Sequence, residues 1–360
     1  MASTYIAGGR TDGNHDMDET ARRFLVTGAQ GFLGHHVVQA LLASYLNARV
    51  LGVGRSPYAP EHYTHSLQWA GKSFRAPVPS YLRSIVNAGR YHYEVLDLCD
   101  RAATEKLIHE SKPEIVFHLA SGLKGDPIDC LMRNGVEGTV GLLEALGQLS
   151  GSHARVLFCS SGGVYGQVPE DLLPIREDVP TRPADLYGVS KLAAEQACQI
   201  LGKRYGIPVT YARLFNLVGP GQDERHVCGR FAAQAVAISL GLQPPQVETA
   251  DLQTTRDFID VRDCALAILL LAANGAPGET YNVASGEETT IASILNTILE
   301  QAGLSERVSI CSSGGSSQDV RRQYASTARL SGLGFRPGRS IADSLRDLLN
   351  YYFLDVSVLS

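Results

Sequence analysis

Short hydrophobic runs alternate with amphipathic segments along the first 216 residues of the chain. Six runs are almost continuously apolar and are bounded by turn-forming residues, as in buried strands: RFLVTG, ARVLGVG, YEVLDL, PEIVFHLAS, ARVLFCSS and IPVTYARLFN. The segments between them have helical spacing, for example HHVVQALLASYL and GTVGLLEALGQL. Strands that are apolar on both faces and alternate with helices predict a parallel sheet covered on both sides.

The pattern loosens after Asn216. Four segments that look helical follow, with only short strands between them: RFAAQAVAISLGL, CALAILLLAANG and the amphipathic TIASILNTILEQAG and IADSLRDLLNYYF. We therefore predict an α/β chain with a doubly wound parallel sheet in residues 23–212, completed by about 259–283. A smaller mixed α/β domain, about 213–258 and 284–355, is expected to bind the substrate.

The composition fits a globular protein without a polyanionic partner. The chain has 360 residues, 44% of them hydrophobic, and a formal net charge of −5. Its adjacent arginines form isolated pairs rather than a basic stripe, so nucleic-acid binding is not expected. Residues 1–22 are polar and glycine-rich, and we interpret them as a mobile extension rather than a signal peptide.

The seven cysteines are scattered and have no metal-ligand spacing. Most are predicted to be small buried residues with free thiols, as in a reducing compartment. No segment has the length of a membrane span. We accordingly expect a cytoplasmic protein with no metal and no membrane partner.

A glycine-rich turn follows the first predicted strand. The sequence TGAQGFLG places Gly28, Gly31 and Gly34 between that strand and a helix. Glycines allow the backbone to turn sharply and approach a pyrophosphate, which the helix N-terminus attracts. The strand–turn–helix context predicts a Rossmann dinucleotide-binding domain.

The end of the second predicted strand bears on the choice of dinucleotide. NAD binding usually uses a carboxylate there, but the sequence GVGRSP offers Arg55 and Ser56. A guanidinium can pair with a 2′-phosphate, so NADP(H) is favoured and NAD(H) remains possible. The alternative is that Arg55 is an ordinary solvated side chain.

A serine, a tyrosine and a lysine suggest proton transfer at a carbonyl or carbinol. Ser161 ends the strand ARVLFCSS, and YGVSK places Tyr187 and Lys191 four residues apart on one helical face. A nearby ammonium is expected to lower the pKa of a tyrosine, which makes it a usable acid or base. The three residues fit a hydride-transfer site.

Together these motifs resemble the extended short-chain dehydrogenase/reductase family, from about Arg23 to Tyr352. The similarity is carried by the segments TGAQGFLG, HLAS, NGVEGTVGLLEA, SSGGVYG, YGVSK, RLFNLVGPGQ, RDFIDVRD and YNVASG. It implies a nucleotide-sugar substrate and, as in many relatives, a homodimer. It also implies further coenzyme contacts at Phe32, Leu33, Asp97, Leu98, Leu119, Ala120 and Ser121. Substrate contacts are implied at Ser161, Gly162, Asn216 and Arg256, with an ion pair to Asp257 or Asp260 as the alternative for Arg256.

Within that family, the C-terminal half is similar to GDP-4-keto-6-deoxy-D-mannose reductases. The similarity implies hydride delivery from NADPH to the C4 ketone, with the proton given by Tyr187. Lys191 would hold the tyrosine and the nicotinamide ribose, and Ser161 would orient the ketone.

Two departures from the family pattern bear on function. Gly162 and Gly163 stand where 4,6-dehydratases have Asp-Glu, which argues against water elimination. Ser316 stands where the family often has an arginine for the substrate diphosphate.

Four functions remain open from the sequence. The favoured one is an NADP(H)-dependent ketoreductase of a nucleotide-linked 4-keto-6-deoxy sugar. The alternatives are an NAD-dependent nucleotide-sugar epimerase, a reductase of another carbonyl compound and a non-catalytic nucleotide sensor. His118 is predicted to be a packed side chain, whereas His226 and Cys228 are weaker candidates for the pocket.

Overall fold

The computed structural model describes residues 22–69, 71–83, 89–149, 154–312 and 320–359. Within these ranges the strands are β1 (Arg23–Thr27), β2 (Arg49–Gly54), β3 (His62–Trp69), β4 (Lys72–Pro77), β5 (Tyr91–Val95), β6 (Ile115–His118), β7 (Arg155–Ser161), β8 (Val209–Leu214), β9 (Asn216–Val218), β10 (Gln246–Thr249), β11 (Thr255–Arg256), β12 (Phe258–Asp260), β13 (Thr280–Val283), β14 (Thr289–Thr290), β15 (Ser309–Ser312) and β16 (Arg322–Gln323).

Seven of these strands form one parallel sheet in the order β13–β8–β7–β6–β1–β2–β5. The chain builds outward from β1 to β2 and β5, and then returns to the other side of β1 to add β6. The strand order therefore reverses between β1 and β6. In open α/β sheets such a reversal leaves a ligand-binding crevice at the carboxyl ends of the strands.

The helices lie between and around the strands. They are α1 (Phe32–Ser44), α2 (Ser80–Arg83), α3 (Arg101–Ser111), α4 (Ile128–Leu131), α5 (Gly138–Gln148), α6 (Leu186–Tyr205), α7 (Val227–Ser239), α8 (Val261–Asn274), α9 (Ile291–Gln301), α10 (Ala328–Gly332) and α11 (Ile341–Tyr351). A π-helical segment, Met132–Glu137, leads directly into α5.

Three large apolar cores hold these elements together. One lies between the sheet and α1 with α8, and a second lies between the opposite face and α3, α5 and α6. The sheet is therefore covered on both sides, as the sequence predicts. The third core joins α7, α9 and α11 outside the sheet.

The hairpin β3–β4 is absent from the sequence-based expectations, as is helix α3. Tyr63, Leu67 and Trp69 of this hairpin are buried in the third core, with α7, α9 and α11. A segment inserted between two sheet strands thus packs with the C-terminal half of the chain. Periodicity within the segment cannot reveal such a distant partner, because the packing surface comes from elsewhere in the chain.

Two predicted strands end differently in the structure. The third sheet strand covers Tyr91–Val95 rather than YEVLDL, so Asp97 lies two residues beyond its end. This strand, β5, pairs with β2 as far as Val95, whose partner Gly54 is the last residue of β2. The segment RDFIDVRD is split into β11 and β12, and Asp260 then caps α8 by accepting a hydrogen bond from the N–H of Arg262.

All seven cysteines are free, and four of them are buried, which confirms the prediction for most of these side chains. No helix in the described ranges is long and apolar enough to cross a membrane. The predicted extension, residues 1–22, lies outside the described residues except for Arg22. The proposed domain boundaries and the cytoplasmic location stay predictions.

Candidate active site

Ser161 is the last residue of β7, and the chain turns sharply after it. Its Oγ accepts a hydrogen bond from the N–H of Gly163 at 3.0 Å, which caps a short 3₁₀ turn. A Cβ on Gly162 would lie 3.1 Å from the Phe215 ring, so a small residue fits best here. The serine hydroxyl is thereby held at the carboxyl end of a central strand.

Tyr187 lies in the first turn of α6, close to this strand end. The Asp185 side chain caps the helix by accepting a hydrogen bond from the N–H of Gly188 at 2.8 Å. A Cβ on Gly188 would lie only 2.7 Å from the Gly163 carbonyl oxygen, so this glycine lets the helix approach the turn. The close approach brings the Tyr187 ring beside the turn that Ser161 caps, since a Cβ on Gly163 would lie 3.3 Å from Ser161 Oγ and 4.0 Å from Tyr187 Cδ1.

Lys191 lies one turn further along α6 and is only 6% exposed. Its Nζ donates a hydrogen bond to the Cys159 carbonyl oxygen at 3.0 Å and lies 6.0 Å from the centre of the Tyr187 ring. The structure therefore brings together all three residues that the sequence predicts to be catalytic. Their chemical roles stay predictions.

The pKa of Tyr187 is raised, not lowered as the sequence predicts. Burial raises this pKa to about 12, although the Ser161 side chain acts to lower it. Burial also lowers the pKa of Lys191 to about 8. The lysine points toward the Cys159 carbonyl, so desolvation decides the pKa of the tyrosine and keeps its proton bound at neutral pH.

The glycine turn fits a dinucleotide pyrophosphate. Gly28 has φ +70°, and a Cβ there would lie 3.1 Å from the backbone nitrogen of Ala120. A Cβ on Gly34 would lie 2.2 Å from the Gly28 carbonyl oxygen. Gly31 precedes α1 without a side-chain cap, so the first-turn N–H groups of Phe32 and Leu33 are suited to an anion.

Leu119, Ala120 and Ser121 follow β6 on the other side of the same crevice. The backbone N–H groups of Leu119 and Ala120 both donate to Thr27 Oγ1 at 3.1 Å, which fixes this turn against β1. His118, just before them, bridges Thr27 and Thr139 at 2.8 Å on each side. Burial lowers the pKa of His118 to about 3, so the prediction of a packed histidine is confirmed.

Arg55 and Asp97, both predicted to contact the coenzyme, each bond a side chain that was not predicted from the sequence. Arg55 Nη1 donates to Asn134 Oδ1 at 2.8 Å, and Arg133 Nη2 donates to Asp97 Oδ2 at 2.9 Å. Arg133 and Asn134 lie in the π-helical segment. In the sequence, the feature that could have indicated this contact is a basic residue, Arg133, immediately before the segment NGVEGT.

Asp97 is the acidic centre of this group. Burial alone would raise its pKa, but a hydrogen bond from the Cys99 N–H and the charges of Arg133 and Arg55 hold the pKa below its usual value. Asp97 is therefore ionised near neutral pH, and two guanidinium groups lie near it. Leu98, the other residue predicted here, is buried in the core beneath.

Two of the predicted substrate residues, Asn216 and Arg256, lie outside the seven-stranded sheet, in two separate small sheets. Asn216 starts β9 and donates from Nδ2 to the Asp257 carbonyl oxygen at 3.0 Å, while Arg256 ends β11. The Asp257 carboxylate accepts hydrogen bonds from Ser285, Gly286 and Ala325, at distances of 2.7–3.2 Å. Asp257 thus stabilises the backbone that supports Asn216 and Arg256. The role of these two residues in substrate binding stays a prediction.

Other polar side chains contribute less to the site. Cys228 is buried in the third core, and His35 and His36 pack inside the fold, so these side chains are structural. Lys124 forms an ion pair of 3.0 Å with Asp185, the cap of α6. Ser316 lies outside the described residues. Among the residues that are described, no group of three His, Cys, Asp or Glu side chains could hold a metal.

Comparison with known proteins identifies relatives over nearly the whole chain. GDP-6-deoxy-D-mannose reductase of Pseudomonas aeruginosa is 34% identical over 335 residues, which cover 91% of this chain and 96% of the relative. The structure of RMD from Pseudomonas aeruginosa complexed with NADPH superimposes with a TM-score of 0.74 at 31% identity, covering 92% and 97% of the two chains.

A UDP-glucose 4-epimerase of Thermus thermophilus in complex with NAD is similar to almost the same degree. It superimposes with a TM-score of 0.74 at 28% identity and covers 92% of this chain and 99% of the epimerase. The model of the NAD dependent epimerase/dehydratase family matches residues 24–284, which contain the glycine turn, Ser161, Tyr187 and Lys191. The chain is therefore an enzyme of the NAD dependent epimerase/dehydratase family.

Proposed function

We propose that the chain is an NADP(H)-dependent ketoreductase that acts on the C4 ketone of a nucleotide-linked 4-keto-6-deoxy sugar. The observation that carries the proposal is that Ser161 at the end of β7, Tyr187 in the first turn of α6 and the buried Lys191 lie together at the carboxyl end of the sheet. The hydroxyl groups of Ser161 and Tyr187 can then both hydrogen-bond one carbonyl oxygen. The 34% identity to GDP-6-deoxy-D-mannose reductase favours GDP as the nucleotide.

The protonation state of Tyr187 is suited to the proton-donor role. Reduction of a ketone needs a proton donor, and the raised pKa keeps the tyrosine protonated at neutral pH.

The absence of a carboxylate beside Ser161 supports the same assignment. Gly162 and Gly163 form the 3₁₀ turn after β7, and their backbone packs against Phe215 and Gly188. A carboxylate side chain at Gly162 would meet the Phe215 ring. Elimination of water from the sugar therefore lacks its acid–base pair at this position.

NADP(H) is proposed as the coenzyme because two guanidinium groups lie beyond β2 and β5. Arg55 is the residue predicted from the sequence, and Arg133 adds a second positive charge near Asp97. Guanidinium groups recognise phosphate oxygens with paired hydrogen bonds. The glycine turn would hold the pyrophosphate through the N-terminus of α1, and the bound coenzyme would supply the hydride.

The residues of the chain then have separate tasks. Ser161 donates a hydrogen bond to the ketone oxygen and orients it beside Tyr187. Tyr187 gives its proton to that oxygen as negative charge develops there. The Lys191 ammonium, held by the Cys159 carbonyl, stabilises the phenolate that remains.

An NAD-dependent nucleotide-sugar epimerase is the second candidate. It is favoured by the similarity to the Thermus thermophilus epimerase complexed with NAD. An epimerase oxidises and re-reduces the same carbon, so it retains its coenzyme and consumes none overall.

One experiment separates the two candidates. The purified protein is denatured and any released dinucleotide is identified, and NADPH consumption by the native protein is followed with GDP-4-keto-6-deoxy-D-mannose. A ketoreductase oxidises one NADPH for each ketone reduced and is purified largely without coenzyme. Stoichiometric bound NAD without net NADPH oxidation would contradict the proposal and support the epimerase.

We also propose that the chain forms a homodimer through the exposed side of α6. Leu186, Val189 and Ile200 are apolar and exposed to 56%, 43% and 68%. A second copy would cover them. The molar mass from light scattering should be that of a dimer, and Ile200→Asp should shift it toward the monomer, whereas a monomeric wild type would contradict the proposal.

A further inference from the structure

Gln30 is an unusual member of the glycine turn, because its side chain is 2% exposed and turns away from the pyrophosphate position. Its Oε1 accepts a hydrogen bond from the N–H of Ala59 at 2.7 Å. Its Nε2 donates to the Pro57 carbonyl oxygen at 3.2 Å and to that of Ser56 at 3.4 Å. One side chain thus satisfies backbone groups along the loop that follows β2.

This loop is the segment that begins with Arg55. Arg55, Pro57 and Tyr58 are all exposed, and the loop is held partly by the Tyr58 ring, which stacks on Tyr93 with ring centroids 5.3 Å apart. A second hydrogen bond comes from the sheet, because the Tyr93 hydroxyl donates to the Ser56 carbonyl oxygen at 2.9 Å. Gln30 and Tyr93 therefore hold the same backbone oxygen, and their side chains lie next to each other.

Gln30 also connects the loop to the rest of the crevice. Its own carbonyl oxygen accepts a hydrogen bond from the N–H of Thr64 in β3 at 3.2 Å. The residue lies between Gly28 and Gly31, whose backbone faces the pyrophosphate position. A rigid connection between this turn and Arg55 sets the distance from a bound pyrophosphate to the guanidinium.

We propose that Gln30 is a positioning residue that sets the preference for a dinucleotide with a 2′-phosphate by fixing the loop that carries Arg55. The inference rests on the proposed use of NADP(H). A paired guanidinium–phosphate contact depends on geometry, so a loop free to move loses part of it. Contacts to the pyrophosphate come from the glycine turn backbone and do not depend on the Gln30 amide.

The test compares dissociation constants for NADPH and NADH, measured by coenzyme fluorescence on the full chain. Gln30→Met keeps the volume of the side chain and removes its hydrogen bonds to the loop. We expect NADPH to bind about two- to tenfold more weakly, as for the loss of one or two hydrogen bonds, with NADH nearly unchanged. Gln148→Met, at an exposed position of α5, is the matched control and should change neither constant.

Tyr93→Phe provides a second variant, because it removes the hydroxyl that bonds the Ser56 carbonyl oxygen beside the Gln30 side chain. It should lower the preference for NADPH in the same direction while the protein stays folded. If both variants weaken the binding of NADPH and of NADH equally, or leave both dissociation constants unchanged, Gln30 has no positioning role and the inference is overturned. A wild-type protein that binds both coenzymes equally would overturn the proposed coenzyme as well, so the two failures are distinguishable.

Discussion

Lys191 Nζ donates a hydrogen bond to the Cys159 carbonyl oxygen at 3.0 Å, and this bond ties helix α6 to strand β7 two residues before Ser161. The ammonium is buried and satisfied by a backbone group of the same strand that carries the serine. The bond therefore fixes the register between helix and strand, on which the contact between Tyr187 and Ser161 depends.

Replacing Tyr187 by phenylalanine tests the proton donor. Tyr187→Phe should reduce ketone-dependent NADPH oxidation by about 10²- to 10⁴-fold, the usual contribution of a general acid. The affinity for NADPH should change little, because only a hydroxyl is lost. Steady-state rates and coenzyme titrations measure the two effects, and an unchanged rate would rule out the mechanism.

The pKa of Lys191, lowered by burial to about 8, predicts a pH dependence of coenzyme binding. The ammonium is present below pH 8 and is lost as the pH rises through that value. If it binds the nicotinamide ribose, the affinity of the wild type for NADPH should fall about tenfold above pH 8, as for a charge-assisted hydrogen bond.

Lys191→Met is the matching variant for this pH dependence. It lacks the titrating group, so it should bind NADPH weakly and with no inflection near pH 8. Isothermal titration at several pH values compares the two proteins. The same inflection in the variant would show that another group is responsible.

Arg133 offers a test of the second positive charge. Arg133→Ala removes the ion pair with Asp97. It should weaken the binding of NADPH about tenfold and the binding of NADH less, because only NADPH carries the 2′-phosphate. Arg204→Ala, at an exposed position near the end of α6, serves as control. Equal losses for the two coenzymes would assign Arg133 a purely structural role.

Asp257 should matter for stability. Asp257→Ala leaves the N–H groups of Ser285, Gly286 and Ala325 without their buried acceptor, which should lower the free energy of unfolding by about 3 kcal/mol. Chemical denaturation measures the change. Asp171→Ala, an exposed control, should stay close to the wild type, and a comparable loss there would contradict the explanation.

The sequence predicted most of the sheet because its strands are buried on both faces and therefore appear as apolar runs. It also identified Ser161, Tyr187 and Lys191, since each lies at a position with a local signal: a strand end, and one face of a helix. The hairpin β3–β4 escaped notice because its buried side chains pack against helices more than 150 residues away in the chain.

By itself, the sequence determined the alternation of strands and helices, the glycine turn and the positions of Ser161, Tyr187 and Lys191. These properties follow from residue type and local spacing. Only the tertiary structure decided the pKa of Tyr187, the pairing of Asp97 with Arg133 and the link from Gln30 to the Arg55 loop. Desolvation and hydrogen bonding depend on which distant groups become neighbours, and folding alone brings those groups together.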